Sequence, residues 1–243
     1  MPAPPRPRRL PSRLARMAAL ALWAVAVALV VLGLVTGQTV MWIGSAGAIA
    51  LALLLPLYTR VSGIEMPPGL ATGVLVFSLC AFVLGEHAGA YTTLGWWDIV
   101  LHLLASAVLA LVGLALVLLN TEGAPPRTGL WIGAVLGVGF AALVGGAWEL
   151  LEFSIDAIFG TNAQRSGLPD TMGDVLTNLA GATYGAVAGR LVLRRGLRLP
   201  LSGLLVAFCA RNPVIYGAWP GVPFQKAGRQ PAATTEAPLM ETT

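Results

Sequence analysis

The sequence predicts an all-α polytopic membrane protein with about six transmembrane helices. Hydrophobic residues make up 56% of the 243-residue chain and charged residues only 11%, about half the charged fraction of a soluble domain. Mean hydropathy is +0.78. Apolar stretches recur at nearly the length of about 20 residues that a helix needs to cross the hydrocarbon core. Together these observations exclude a soluble globular domain.

Six apolar windows follow one another along the chain. They run approximately from Met17 to Val35, Val40 to Leu57, Leu70 to Leu84, Ile99 to Leu119, Leu130 to Phe153 and Thr171 to Leu193. We predict a membrane domain over residues 17–198, after a disordered basic segment over 1–16. A short interfacial piece and a disordered tail, rich in Pro, Gly, Ala and Thr, are expected over 199–243. The first window is longer than the core of a signal peptide, so we expect it to be retained.

The arginines indicate how the helices are oriented, because cytoplasmic loops are enriched in Lys and Arg. They precede the first window, follow the second and fourth, and follow the sixth, whereas the opposite loops hold only Arg165. This pattern predicts a multi-pass protein of the inner (plasma) membrane with both termini in the cytoplasm. The net charge of +4 is therefore a topology signal, and we expect no nucleic-acid partner.

The ionisable residues are concentrated in one part of the chain. Eight of the eleven acidic residues, and both histidines, lie between Glu86 and Asp174. With the predicted topology, all of the eight except Glu122 fall at the extracytoplasmic ends of the helices. Ionisable groups at membrane depth are costly and usually functional. The sequence therefore predicts a polar pocket that opens to the extracytoplasmic side.

Spacing places these residues on shared helix faces. Asp98 and His102 are four residues apart, as are Asp170 and Asp174, with Asn178 four residues further. Glu149, Glu152 and Asp156 share one face at the carboxyl end of the fifth helix, where the helix dipole disfavours negative charge. So many close carboxylates need a cation or shared protons. A bound divalent metal, Arg165, or protonated His87 or His102 would supply the positive charge.

We assign roles on this basis. The predicted metal ligands are Asp98, Glu149, Glu152, Asp170 and Asp174, and the metal's identity is open among Mg, Mn, Ca, Zn and Fe. The predicted catalytic residues are His102, Glu149 and Arg165. The other pocket residues are His87, Tyr91, Asp156 and Asn178. Structural interpretations stay open: Asp98 and Asp170 fit helix N-caps, and His102 fits a bundle histidine that faces Ser106.

Small residues predict how the last two helices pack. Gly181, Gly185 and Gly189 form one line with a four-residue repeat, and Gly133, Gly137, Ala141 and Gly145 form another that leads to Glu149. Such lines let transmembrane helices approach closely. We expect the fifth and sixth helices to pack against each other as a hairpin, which would bring Glu149 and Glu152 near Asp174 and Asn178.

Four short motifs resemble a known family. They are His87-x-x-x-Tyr91, Asp98-x-x-x-His102, the run Trp148-Glu149-Leu150-Leu151-Glu152-Phe153, and Asp170-Thr171-Met172-Gly173-Asp174. This pattern, over roughly Leu70 to Leu193, is similar to that of the YjdF-type bacterial inner-membrane proteins, a family of unknown function.

The second half also resembles the VanZ-like membrane family. The matching residues are Glu149 or Glu152, Arg165, Asp174, Asn178, Gly181 and Gly185, although Glu152 stands where a Gln is more usual. That resemblance implies a loose link to cell-envelope glycopeptide resistance.

Three functions follow from the residues. The first is a metal-dependent hydrolase or transferase that acts on a lipid or lipid-linked envelope substrate, with Arg165 holding an anionic group. Membrane lipid and that substrate are then the partners. The second is a cation or proton carrier, and the third is a structural or partner-binding protein whose acidic cluster is an ion-pair network. The sequence does not determine the oligomeric state.

Overall fold

The computed structural model describes residues 13–121 and 129–216, and within these ranges the chain is helical with no β-strand. The α-helices are α1 Arg13–Thr36, α2 Thr39–Ser62, α3 Leu70–Leu79, α4 Ala90–Thr93, α5 Trp97–Leu119, α6 Leu130–Phe159, α7 Leu168–Arg195, α8 Ser202–Arg211 and α9 Pro213–Tyr216. A π-helical segment, Cys80–His87, continues α3. The all-α prediction is confirmed. The predicted disordered segments fall largely outside the described residues.

In the described part of the chain, five helices are long and apolar enough to cross a membrane, counting α3 with its π-helical continuation as one. The sixth, α7, has 28 residues but also carries Asp170, Asp174 and three arginines. Two helix ends differ from the predicted windows. The third helix continues past Leu84 to His87, and α6 continues past Phe153 to Phe159. Asp156, which lies beyond the predicted fifth window, is therefore in the same helix as Glu149 and Glu152.

The long helices form two units. The first unit contains α1, α2, α3 and the π-helical segment, packed around Ala26, Ala48, Ala52 and Leu75. The second unit contains α5, α6 and α7, whose packing is the densest in the chain. All acidic residues from Glu86 to Asp174 in the described ranges lie at one end of these units, here called the acidic end. The opposite end, which includes Arg13, Arg60 and Arg195, is the basic end.

The predicted packing of α6 against α7 is confirmed, but most of the glycines approach a different helix. Gly181 and Gly185 lie against the backbone of Leu103 and Ala107 in α5, and Gly137 also lies against α5, at the Ala110 carbonyl. At the other end of the α6 line, Ala141 clusters with Ala182 and Ala186 of α7, and Gly145 contacts Asn178. Helix α5 thus contacts both lines, because its own small residues let α6 and α7 approach it from two sides.

The carboxyl-terminal helices pack against the basic end of the second unit. Leu205, Cys209 and Tyr216 are buried with residues of α5 and α7, and the Tyr216 hydroxyl donates to the Ala115 carbonyl (3.0 Å). A short interfacial piece and a disordered tail were expected over 199–243, and helix extends to Arg211 and resumes at Pro213. Hydropathy gave no end for this segment because it is too short to span a membrane.

A polar tie joins the two units at the basic end. The buried Asn212 side chain accepts from the Glu65 amide (2.7 Å) and donates to the Glu65 and Phe208 carbonyls (2.8 Å each). Arg211 also pairs with the Glu65 carboxylate (3.0 Å). The loop between α2 and α3 is thereby fixed to the end of α8.

Candidate functional site

A cavity of about 370 Å³ lies between the two units at the acidic end. Its apolar lining residues are Leu51, Phe77, Phe82, Leu101, Leu109, Val144, Leu151 and Ile155. Its polar and ionisable lining residues are Glu86, Tyr91, Asp98, His102, Ser106, Glu152, Arg165, Asp170, Asp174 and Asn178. The cavity therefore combines charged and hydrocarbon surface.

Three ionisable side chains converge in this cavity. His102 Nε2 lies 3.4 Å from Asp98 Oδ1 and 3.6 Å from Asp174 Oδ1. Asp98 and His102 lie on the first turns of α5, one helical turn apart, and Asp174 lies near the start of α7. One ligand atom from each residue falls within a group no wider than 4.8 Å. Two carboxylates and one imidazole at this spacing form a group that could hold a metal ion.

The other nitrogen of His102 has a fixed partner. His102 Nδ1 lies 3.1 Å from Asn178 Oδ1, which also accepts from the Ser106 hydroxyl (2.5 Å). When a neutral His102 donates its Nδ1 hydrogen to Asn178, its Nε2 lone pair faces the two carboxylates. Supporting bonds of this kind are typical of metal-binding histidines. If His102 is instead protonated at both nitrogens, Nε2 donates to the carboxylates as an ion pair.

Two glutamates of α6 lie beside this group. Glu152 lines the cavity. Glu149 is only 6% exposed, and in the described part of the chain neither of its carboxylate oxygens has a hydrogen-bond partner. The Thr171 hydroxyl is close but lies outside hydrogen-bonding geometry. A buried carboxylate without partners is costly, so a cation, a proton or a ligand is expected to satisfy Glu149.

Arg165 lies at the cavity wall in the loop between α6 and α7. Its guanidinium pairs with Glu86 Oε1 (2.6 Å) and lies 4.2 Å from the centroid of the Tyr91 ring. Asp156 anchors this loop by accepting from the Thr161 hydroxyl and from the amides of Ala163 and Gln164 (2.6, 2.7 and 2.9 Å). The elements that position Arg165 thus come from both units.

One family model matches residues 17–195, and its description is predicted membrane protein (DUF2238). The chain belongs to the DUF2238 family. No curated protein and no solved structure matches it. The matched region spans the helices from α1 to α7 and includes every residue of the cavity. Helices α8 and α9 lie beyond it.

Within this DUF2238 chain, the predicted site residues separate into three groups. Asp98, His102 and Asp174 converge, whereas Glu152, Asp170, Tyr91, Arg165 and Asn178 line the surrounding cavity. His87 and Asp156 do not line it: His87 is exposed on the π-helical segment, and Asp156 holds the α6–α7 loop. Glu149 is buried beside the cavity without lining it.

The sequence alone did not reveal the contacts that Ser106 and Glu86 make in the site. Ser106 entered only through the structural interpretation of His102, yet it helps to orient Asn178. Its position one turn after His102 on the same helix is a signal that could have identified it. Glu86 was recognised as part of the acidic group, but its pairing with Arg165 joins residues 79 positions apart, and no local spacing reports such a contact.

Tyr91 contributes an uncharged aromatic side chain to the cavity lining. It lies in α4, between the long helices. Burial is the main reason that its pKa is raised above the ordinary value, and the nearby Asp98 and Glu86 carboxylates raise the pKa further. The phenol therefore stays protonated at neutral pH and presents an uncharged ring to Arg165.

Proposed function

We propose that this DUF2238 protein binds a divalent metal ion at Asp98, His102 and Asp174 and uses it in a hydrolysis or transfer reaction on a lipid or lipid-linked envelope substrate. The observation that carries the proposal is the convergence of two carboxylates and one imidazole within 4.8 Å. A metal held there would polarise a phosphoryl or carbonyl oxygen, or lower the pKa of a bound water. Such mixed oxygen and nitrogen ligands suit Zn, Mn or Fe.

The surrounding residues fit this chemistry. Glu149 and Glu152 are the candidate proton acceptors, and the unpartnered oxygens of Glu149 leave it free for that role. Asp170 lines the same cavity. His102, assigned from sequence as a proton shuttle, is better placed as a ligand because Asn178 fixes its other nitrogen.

The cavity walls support a lipid substrate. Besides its apolar lining, the cavity adjoins a groove of about 860 Å³ that runs along α3 between α1 and α5. Phe77 and Leu101 line both spaces, so the two spaces are neighbours. The groove is almost entirely apolar and would accommodate an acyl or isoprenoid chain while the polar group lies near His102. The resemblance of the second half to VanZ-like proteins is the reason for proposing an envelope substrate.

The location of the site is part of the proposal. We place the acidic end outside the inner membrane and the described ends of the chain on the cytoplasmic side, because the arginines cluster at the basic end.

Thiol labelling tests this orientation. Single cysteines at Thr93 and Ser166, in a chain with Cys80→Ala and Cys209→Ala, are expected to react with an impermeant reagent in intact spheroplasts, whereas Leu197→Cys should react only after lysis. Labelling of Leu197→Cys from outside would reverse the orientation and place the cavity in the cytoplasm.

An ion-pair network is the second candidate. His102 Nε2 lies nearly equidistant from the Asp98 and Asp174 oxygens, at 3.4 and 3.6 Å. A protonated imidazole would make these same contacts with no metal present. The cluster would then stabilise the helix packing and have no catalytic part.

Metal binding distinguishes the two candidates. Purified protein is expected to contain metal, or to melt at a higher temperature when Zn, Mn or Mg is added, and Asp174→Asn should abolish both effects because it removes a ligand while keeping the volume. Asp156→Asn is the matched control: it neutralises a carboxylate of the same end outside the cavity and should retain metal. A metal-free protein whose melting temperature is unchanged by all these ions and by chelator would leave the ion-pair network as the function of the cluster.

A further inference from the structure

Arg165 has the features of a prepared anion-binding group. Its guanidinium is held between the face of the Tyr91 ring, 4.2 Å from the centroid, and the Glu86 carboxylate, 2.6 Å away. A planar guanidinium binds phosphate and carboxylate groups through two parallel hydrogen bonds. Because the aromatic ring covers one face, the edge of the guanidinium remains for such an anion.

We propose that Arg165 forms the subsite for an anionic phosphate or carboxylate group of the substrate, and that Glu86 occupies this subsite until the substrate displaces it. This inference rests on the proposed function, since it names the substrate class of the same cavity. The charge of Glu86 and its oxygen in contact with Arg165 are those that a bound anion would present.

The local sequence leaves room for this arrangement. A side chain on Gly85 would overlap the Tyr91 ring, so glycine at this position lets the ring lie under Arg165. Asp156 fixes the loop that carries Arg165 through three hydrogen bonds. Arg165 itself has a backbone φ of 35°, a region that L-residues rarely adopt and that often marks binding sites. Both partners of the cation–π contact are thus held by their surroundings.

Glu86, in contrast, can be displaced from Arg165 by a ligand. Its side chain is 48% exposed, whereas that of Arg165 is 24% exposed. Ion pairs with an exposed partner contribute little net stability because water solvates the separated charges well. A ligand that brings its own anion can therefore replace Glu86 with little loss, while Arg165 remains on Tyr91.

Ligand binding by detergent-purified full-length protein tests the proposal. The probes are inorganic phosphate, short-chain phosphatidylglycerol and short-chain phosphatidylcholine. Isothermal titration calorimetry measures their binding. Phosphatidylglycerol is expected to bind more tightly than phosphatidylcholine. Binding of phosphate alone would assign the subsite to a free anion, whereas binding of phosphatidylglycerol without phosphate would assign it to a lipid head group.

The variants have opposite expected effects. Glu86→Gln removes the competing charge and should tighten binding of the anionic probe several-fold, whereas Arg165→Gln should lose most of the binding and Arg165→Lys should retain part of it. His87→Gln, an exposed neighbour outside the cavity, should match the parent. If Glu86 only supports the fold, Glu86→Gln will bind the probe equally or more weakly, and the proposal is then wrong.

The anion subsite and the metal site can be rejected independently of each other. Titrations in chelator should still show the anionic probe binding to Asp174→Asn, because Arg165 and Tyr91 do not depend on the metal ligands. Anion binding in a protein that takes up no metal would retain the subsite and reject the metal site. Metal uptake without discrimination between the two lipids would do the reverse.

Discussion

Replacing Gly185 by alanine is expected to destabilise the protein by about 3 kcal/mol, the upper part of the usual range for overpacking. A methyl group at this position would overlap the Ala107 carbonyl of α5. Backbone atoms cannot turn aside as a flexible side chain can, so α5 and α7 would have to separate. This separation would also move Asp174 away from His102, because α7 carries Asp174 and α5 carries His102. Unfolding in detergent with increasing denaturant measures the loss.

Gly146→Ala is the matched control. Gly146 also lies within a long helix, but a methyl group there would meet nothing within 4 Å. Because alanine favours helix over glycine by about 1 kcal/mol, this variant should be as stable as the parent or slightly more stable. Equal stability of Gly185→Ala and Gly146→Ala would contradict the close approach of α5 and α7.

His102→Gln is expected to have the largest effect at the site. At the proposed metal site, loss of the His102 ligand should weaken metal binding by more than about 100-fold, since loss of a supporting residue alone costs 10- to 100-fold. Without metal, the substitution leaves the Asp98 and Asp174 carboxylates facing each other with no positive charge between them. Removing one partner from a buried charged group typically costs about 3 kcal/mol. Isothermal titration with Zn and thermal melting measure the two effects.

A double variant separates the two contributions. In His102→Gln/Asp174→Asn the repulsion between carboxylates is gone, so its melting temperature should exceed that of His102→Gln alone, while metal binding stays lost. The effects of neighbouring substitutions are then non-additive, as expected for groups in contact. Additive melting temperatures would show that the three residues do not interact, and His87→Gln should change neither measurement.

Hydropathy was sufficient to predict the spans and the fold class, because the requirement to satisfy backbone groups in lipid leaves few alternatives. It also placed the acidic residues at one end, since strict alternation of helix direction puts Glu86, Asp98, Glu149 and Asp170 together. Helix spacing put Asp98 and His102 on one face, which the structure retains.

The choice of partners between helices was not predictable in the same way. The glycine lines indicate close approach but carry no information about which helix approaches, and α5 proved to be the common partner. Which carboxylates meet His102 depends on the rotation of α6 and α7 about their axes. A rotation of one residue position, about 100°, would exchange Glu149 for its neighbours, and hydropathy in an Ala- and Gly-rich helix does not fix that rotation.

The hydrogen bonds of Asn212 join the two units more firmly at the basic end than the contacts at the acidic end do. At the basic end, three buried or half-buried hydrogen bonds join the chain around Glu65 to α8, and none of them faces the cavity. At the acidic end, the links include the solvent-accessible pair of Glu86 with Arg165 and a single hydrogen bond from the Trp97 indole to the Cys80 carbonyl (3.2 Å). Any relative movement of the two units is therefore expected to pivot about the Glu65 loop. Glu86 would then move furthest, because it lies some 20 Å or more from that loop along the helices by the rise of about 1.5 Å per residue.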